Sequence, residues 1–503
     1  MPVNRVAPAI KEHRWAICLL PVLLWWRFYQ IGELALPAWV DSVHHALLVR
    51  ILLEQGWLPT TWGPYLPETP FYYHFGFHVT AAIWAWATGQ SGADLGRAVL
   101  MVGQFWQVAL ALAIYILGHT MWHSRAKALA VMLLVGFVST MPAYYATWGR
   151  YTLLAGLTLM ILAMSAALAG RKILLALLIV GTAVTHHYAL FLLAIYLLIV
   201  WLVIPVRRHA VVAGGLLGLL LAAPWLWRVL TWGRHYALAP SLLPGGNAGS
   251  NGATANTVIE MLGPLHNYAL IGIGIIGMVG LATCIFQDSD AENERLWPLL
   301  GLAFALIGLM GPWSIGPFRP DHAAIVFFLP IIFFATEAIW QLQRPLWIGL
   351  AVGLCILCGL VSTRTIIRPD SVLATETDVA AMHWIDEHIP TDAAFLIDVQ
   401  PWLGLWRGAD GGWWIMPLTG RRTALPPAAY GWGAPDAVYT INQRAQLIQN
   451  VEQDRSAAYC QRLTGLMQQL DVAYYYTHSE RPLACGNLQA LYQADGLYIY
   501  AQK

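Results

Sequence analysis

Asp41, His44 and His45 stand within one turn of a potential helix in PAWVDSVHHALLVRILLEQGW, and Glu68, Tyr72, Tyr73, His74 and His78 follow in WGPYLPETPFYYHFGFH. A carboxylate held beside an apolar surface can take a proton from a hydroxyl in flight. Asp41 is therefore the candidate general base, and the plain alternative is a helix cap that suits the helix dipole. Three arginines lie where apolar runs begin or end: Arg150 in TWGRY, Arg234 in WGRH and Arg319 in GPFRPDH. A guanidinium presents a planar fork to phosphate oxygens, so each is a candidate phosphate ligand as well as an anchor at a span end. Tyr65, His44, His45 and His322 complete the candidate set around such an anion. Glu68, His74 and His78 offer mixed oxygen and nitrogen donors, with His74 and His78 at the i,i+4 spacing of a helical pair. They are the candidate ligands of a divalent metal ion, against interfacial hydrogen bonding.

These residues need a scaffold, and composition says what kind. Of 503 residues, 58% are apolar and only 11% are charged, against roughly 25% charged in soluble domains. The net charge is +1, which offers no basic surface to a nucleic acid. The chain holds 25 Trp, several beside apolar runs, as suits a membrane–water interface. There is no phosphate-binding P-loop, no G-x-S-x-G and no H-E-x-x-H.

Apolar runs near 15–33, 98–121, 128–146, 151–169, 173–186, 189–204, 209–230, 267–286, 296–311, 323–340 and 345–362 predict about 11 spans, of which the short runs 173–186 and 189–204 meet in a bend at His186-His187 that returns to the same face. Residues 73–89 are read as a juxtamembrane helix. The basic clusters Arg125/Lys127, Arg171/Lys172, Arg207/Arg208 and Arg344 then share the side of the N-terminus, which the positive-inside rule makes cytoplasmic. Asp41, Glu68, Arg150, His186, His187, Arg234, His235, Arg319, Asp321 and His322 all gather on the opposite face. The Gly/Asn-rich segment 244–256 has the composition of a loop or lid on that face.

After about residue 363 the character changes. TDVAAMHWIDEHIP (377–390) has helical spacing, 440–470 is helical, and AAFLIDV, GGWWIMP, VAYYYTH and GLYIYAQ read as strands. This predicts an extracytoplasmic α/β domain over 363–503, following a membrane module over 1–362 whose first outer loop is 34–97. Cys460 and Cys485 fall in that domain, where they could pair or stay free. Cys18, Cys284, Cys355 and Cys358 sit in apolar runs as small hydrophobes.

An acidic residue after the first span, an amphipathic helix ending in Gly-Trp, then Tyr65-x-x-Glu68-x-Pro70 and aromatics resemble the first extracytoplasmic loop of the GT-C glycosyltransferases. The nearest likeness is to the protein O-mannosyltransferases and lipid A aminoarabinose transferases. DGGWWIMPLTGRRTALPP (410–427) is similar to C-terminal domains in bacterial and archaeal members. The chain departs from the pattern at Asp41-Ser42, where two acids are usual, and at Glu68-Thr69-Pro70, where Lys-Pro-Pro or His-Pro-Pro is usual. The resemblance implies a multi-pass membrane enzyme with Asp41 as base. It further implies a polyprenyl-phosphate sugar donor and an acceptor lipid, glycan or protein. Two other readings remain: a transporter or flippase, disfavoured because the polar residues cluster on one face, and a haem-bearing subunit, disfavoured because the paired histidines share one loop.

Overall fold

The computed structural model describes residues 12–236, 255–284, 294–311, 319–454, 456 and 458–503, with the side chains of 234–236 and 284 outside that set. The predicted loop at 244–256 falls almost wholly outside it.

Helix α1 (Arg14–Gln30) leads into α2 (Val40–Gln55), the short hairpin β1 (Thr61–Trp62) and β2 (Leu66–Pro70), and α3 (Gly76–Thr88). The 13 residues of α3 reach about 20 Å, less than the ~30 Å hydrocarbon layer, in keeping with a helix that lies at the surface. Next come α4 (Leu95–Trp122), α5 (Arg125–Leu133), α6 (Tyr151–Leu168), α7 (Lys172–Thr185), α8 (His187–Val203) and α9 (Arg208–Tyr236). Between α7 and α8, His186 is extended at φ −164° and ψ 120°, the predicted bend. Helices α10 (Ala255–Leu262), α11 (Leu265–Cys284), α12 (Trp297–Leu309), α13 (Pro320–Val326), α14 (Phe328–Trp340) and α15 (Pro345–Ser362) complete the helical part.

Six helices among the described residues are long and apolar enough to cross a membrane. A seventh crossing exists if the pair over 125–148, bent by 64°, counts as one span. This is fewer than the eleven expected. The other expected spans, α1, α7, α8 and α12, hold 13–17 residues, or about 20–25 Å of helix. The bend in 128–146 falls at Ser139, which is extended (ψ 128°), and Met141 is extended again (ψ 136°) ahead of Pro142, as residues preceding proline prefer.

Beyond the helices lie α16 (Glu376–His388), β3 (Ala394–Ile397), β4 (Val399–Trp402), β5 (Leu405–Gly408), α17 (Ile415–Thr419), β6 (Arg422–Thr423), α18 (Pro435–Gln453), α19 (Tyr459–Gln469), β7 (Tyr474–His478), β8 (Leu488–Ala494) and β9 (Leu497–Gln502). Five strands form one sheet in the order β6-β3-β7-β9-β8, with β3 parallel to β6 and β7 and the remaining pairs antiparallel. Thr375 and Asp378 form a capping box that starts α16. GGWWIMP, expected as a strand, is helical instead. The Asp410 carboxylate accepts the Gly412 N–H at 2.9 Å and Trp413 and Trp414 are fully buried, so capping and burial override β propensity. Cys460 and Cys485 are disulfide-bonded, Cα to Cα 5.3 Å.

The first outer loop and the C-terminal part share one apolar core, in which Val43, Leu47, Trp62 and Phe71 join Trp413, Trp414 and Tyr430. Arg50 clamps this junction. It donates to the Leu418 carbonyl at 2.9 Å, the Tyr65 hydroxyl at 2.8 Å and Glu54 at 2.8 Å.

Candidate active site

The site is built around the first turn of α2. Trp39 precedes that turn at φ 69° and ψ 171°, a backbone region that side chains rarely adopt and that stores about 1–3 kcal/mol of strain. Trp39 is held there: its N–H donates to the Ser371 carbonyl at 2.8 Å, and the Arg407 guanidinium lies 5.2 Å over its ring. Asp41 is therefore not the helix cap. Trp39 occupies that position and no side chain caps the helix. Among the described residues no hydrogen bond or ion pair holds the half-buried Asp41 carboxylate. Burial raises its pKa, and the positive charges of Arg150 and Arg319 oppose the rise.

Gly149 lets Arg150 approach. Gly149 has φ 62°, and a Cβ there would strike the Ser42 hydroxyl and come within 3.0 Å of the Ala38 carbonyl, so only glycine passes beneath α2. Arg150 enters no ion pair among the described residues, and its Nε is buried without a partner. Its charge is felt by Asp41 and by Tyr73. Arg319 differs: its fork is engaged by Asp321, Nε–Oδ1 3.1 Å and Nη2–Oδ2 2.6 Å. The Arg319 N–H donates to His322 Nδ1 at 3.2 Å, which leaves Nε2 of a neutral His322 as a donor.

The histidines brace the site. His45 Nε2 lies 3.0 Å from the Gly149 carbonyl, which can only accept, so that nitrogen carries the proton. His45 Nδ1 then accepts from His78 Nε2 at 2.9 Å. Burial lowers the pKa of His45 to about 3, and also lowers His44, His74 and His78 well below the usual range. Neutral and already bonded, His45 positions the Gly149–Arg150 turn and is not the phosphate ligand expected. His44 Nε2 lies 3.4 Å from the Tyr73 hydroxyl.

Two other expectations are corrected. Tyr65 is spent on Glu54 and Arg50, about 13 Å along α2 from Asp41, and so helps dock the C-terminal part. Glu68 is exposed on β2 while His78 is fully buried. Among the described residues no group of three or more His, Cys, Asp or Glu is arranged to hold a metal ion. Glu68, His74 and His78 therefore do not fit a metal, because burial divides them and His45 takes His78. The Arg234 side chain lies outside the described residues.

Three contributors were given no role in the sequence reading. Asp321 neutralises Arg319. Tyr73 has its ring 4.4 Å from and stacked on Trp432, which the C-terminal part inserts. Trp39 fixes the start of α2. Adjacency to Arg319 was the available signal for Asp321; nothing local marks Trp432.

The sequence matches no protein-family profile and no curated protein. Solved structures do match. An Archaeoglobus fulgidus oligosaccharyltransferase, in complex with Zn and sulfate, superposes with a TM-score of 0.59 at 12% identity, over 92% of this chain and 68% of that one. The arabinofuranosyltransferase AftD from Mycobacteria gives 0.57 at 13% identity, over 97% of this chain and 40% of that one. ArnT from Cupriavidus metallidurans, bound to undecaprenyl phosphate, gives 0.53 at 10% identity, over 98% of both chains.

Proposed function

We propose that this chain, which has the GT-C glycosyltransferase fold, moves a sugar from a polyprenyl-phosphate donor to an acceptor hydroxyl outside the cytoplasm. The observation that carries the reading is the Asp41 carboxylate, which makes no hydrogen bond or ion pair among the described residues and lies in the field of Arg150, which enters no ion pair among them. The acceptor oxygen gives its proton to Asp41 as it attacks the anomeric carbon. The bond from that carbon to the phosphate oxygen breaks on the opposite face, so configuration inverts. Arg150 meets the charge that develops on the departing phosphate, with His322 Nε2–H as a further donor. Arg319, paired with Asp321, contributes less. No step is routed through a metal ion.

The disulfide supports an oxidising, extracytoplasmic side for the C-terminal part. The bond between His45 and His78 leaves neither free to flank a haem. The test is Asp41→Asn in membranes supplied with labelled polyprenyl-phosphate sugars. Asparagine keeps the size and cannot accept the proton, so the transfer rate should fall by about 10²–10⁴-fold while donor binding stays. A folded variant that transfers at the parental rate would remove Asp41 from the mechanism.

A further inference from the structure

The C-terminal part carries a second concavity, away from Asp41. A cleft of about 500 Å³ opens between the β4–β5 turn and α18, and Trp402, Trp406, Tyr439, Asn442, Gln443 and Gln446 line it. Tyr439, Asn442, Gln443 and Gln446 recur at i, i+3, i+4 and i+7, so one face of α18 forms a wall. The opposite wall is the hairpin, whose tight turn places Leu403 and Gly404 at φ 47° and 78°. Tyr439 is 45% exposed and Leu403 67% exposed, and neither Trp402 nor Tyr439 stacks on another ring among the described residues. Among the described residues no charged side chain lines the cleft.

The amides are left complementary to hydroxyl groups. Asn442 Oδ1 accepts from the Tyr430 hydroxyl at 2.8 Å, which leaves its two N–H donors. Gln446 Nε2 donates to Asn450 at 3.0 Å, which leaves its carbonyl oxygen as acceptor. Gln443 makes no hydrogen bond among the described residues and offers both functions. A sugar ring presents an apolar C–H face to an aromatic ring and, at its edge, hydroxyls that each donate and accept. Uncharged amides beside free aromatic faces match that pattern, and the absence of charge selects a neutral sugar. A proline-rich peptide also seeks aromatic faces, but it brings few donors and would leave the Gln446 acceptor unmet.

We infer that this cleft binds a neutral saccharide chain, and that the chain is the distal part of the acceptor. Binding stands by itself; the word acceptor rests on the transferase reading. Geometry links the two sites. In the hairpin register Gln400 pairs with Arg407 and Trp402 with Leu405, so Trp402 and Arg407 share a face. Arg407 in turn covers Trp39, two residues before Asp41. Tyr430, which fixes Asn442, lies two residues before Trp432 on Tyr73.

The experiment uses the full chain in detergent and titrates linear neutral hexasaccharides of mannose, glucose and arabinose, with a proline-rich peptide in parallel, by calorimetry. Binding of at least one hexasaccharide is expected. Trp402→Ala and Gln443→Ala should each weaken it about tenfold or more, while Trp402→Phe, which keeps an aromatic face, and Asp41→Asn keep it. Wild-type protein that binds none of the three sugars overturns the proposal. So does equal binding by Trp402→Ala, or peptide binding that Trp402→Ala abolishes. Parental protein that binds the hexasaccharide but transfers label from no polyprenyl-phosphate sugar would instead defeat the transferase reading and leave the saccharide site standing.

Discussion

Replacing Arg150 by alanine separates leaving-group stabilisation from folding. In the resting protein Arg150 enters no ion pair among the described residues, and its Nε is buried unpartnered. Its removal should change the melting temperature little, because the half-buried guanidinium gives up only its contact with the Trp148 ring, 5.8 Å away, while one unpartnered buried N–H is relieved. Activity should respond strongly. A hydrogen bond to a charged group contributes about 1.5–3 kcal/mol, so kcat/KM should fall roughly 10–150-fold. The pH profile carries a second signature. Asp41 acts only when ionised, and Arg150 holds its pKa down against burial. Without Arg150 that pKa rises further, and the acid limb of the rate profile moves to higher pH. Arg319→Ala should differ in kind. It strips the fork from Asp321, whose side chain is 5% exposed, and leaves a buried carboxylate unpaired at about 1–3 kcal/mol. The lower half of that range applies because Arg319 itself is 38% exposed. The assay is transfer from labelled polyprenyl-phosphate sugar across pH, paired with thermal unfolding in detergent. An Arg150→Ala protein with parental kcat/KM and an unmoved acid limb would refute the placement of Arg150 opposite the departing phosphate. A loss of stability as large as that of Arg319→Ala would show that it has a structural partner.

Trp39→Gly should release the backbone strain at φ 69° and delete the ring under Arg407. The protein should melt no lower, yet transfer should slow about tenfold or more as Asp41 loses its fixed position; an unchanged rate would make the strain incidental. Replacing Cys460 and Cys485 by serine opens a loop of 25 residues and should cost about 3–4 kcal/mol, read as a lower unfolding temperature in calorimetry. Single cysteines at the exposed positions Glu68 and Ser91 should label from the side opposite to one at Lys172; labelling of 68 and 91 from opposite sides would make α3 a crossing. The His478–Asp378 pair, 2.8 Å apart, should give a stability plateau. The hydrogen bond to Asp378 raises His478, so its contribution is full below about 6.5 and is lost as pH rises through the raised value. Burial works against ionising Asp378, but bonds from His478, Tyr476 and Thr375 outweigh it and lower the pKa. Its contribution is therefore present above about 3.9 and lost only as pH falls through that lowered value. His478→Gln should remove the alkaline edge of the plateau.

How much of this was legible depended on how local each signal is. Apolar runs disclosed the long helices of the membrane part, because about 20 consecutive apolar residues have few other uses, but not the short α10 over Ala255–Leu262. The runs disclosed the break at His186 but not the one ahead of Pro142, which interrupts a stretch whose composition is continuous. Asp41, Arg150 and Arg319 were legible as ionisable residues at the margins of such runs. Their ranking was not. Arg319 looked as free as Arg150 until Asp321 closed on its fork. His74 and His78 have the spacing of a metal pair, yet His45, 33 residues from His78, decides what His78 does. Long-range partners of this kind leave no periodicity to read. The strand read into GGWWIMP failed for a local reason, a single side-chain cap from Asp410.

The C-terminal third explains why the base needs so large a support. A carboxylate that must stay unbonded cannot be positioned by its own hydrogen bonds, so its backbone has to be fixed from outside. Gly149 packs beneath the first turn of α2, where any side chain would collide with Ser42. Ser371 takes the Trp39 N–H, and Arg407 lies over the Trp39 ring. Trp432 stacks on Tyr73, whose own pKa registers the charge of Asp41. Three of these four restraints come from beyond residue 363. None of them supplies an acid or base, and each acts on backbone or ring geometry. On the proposed mechanism, one free carboxylate accounts for a C-terminal sheet and helices that supply restraint and no reacting group.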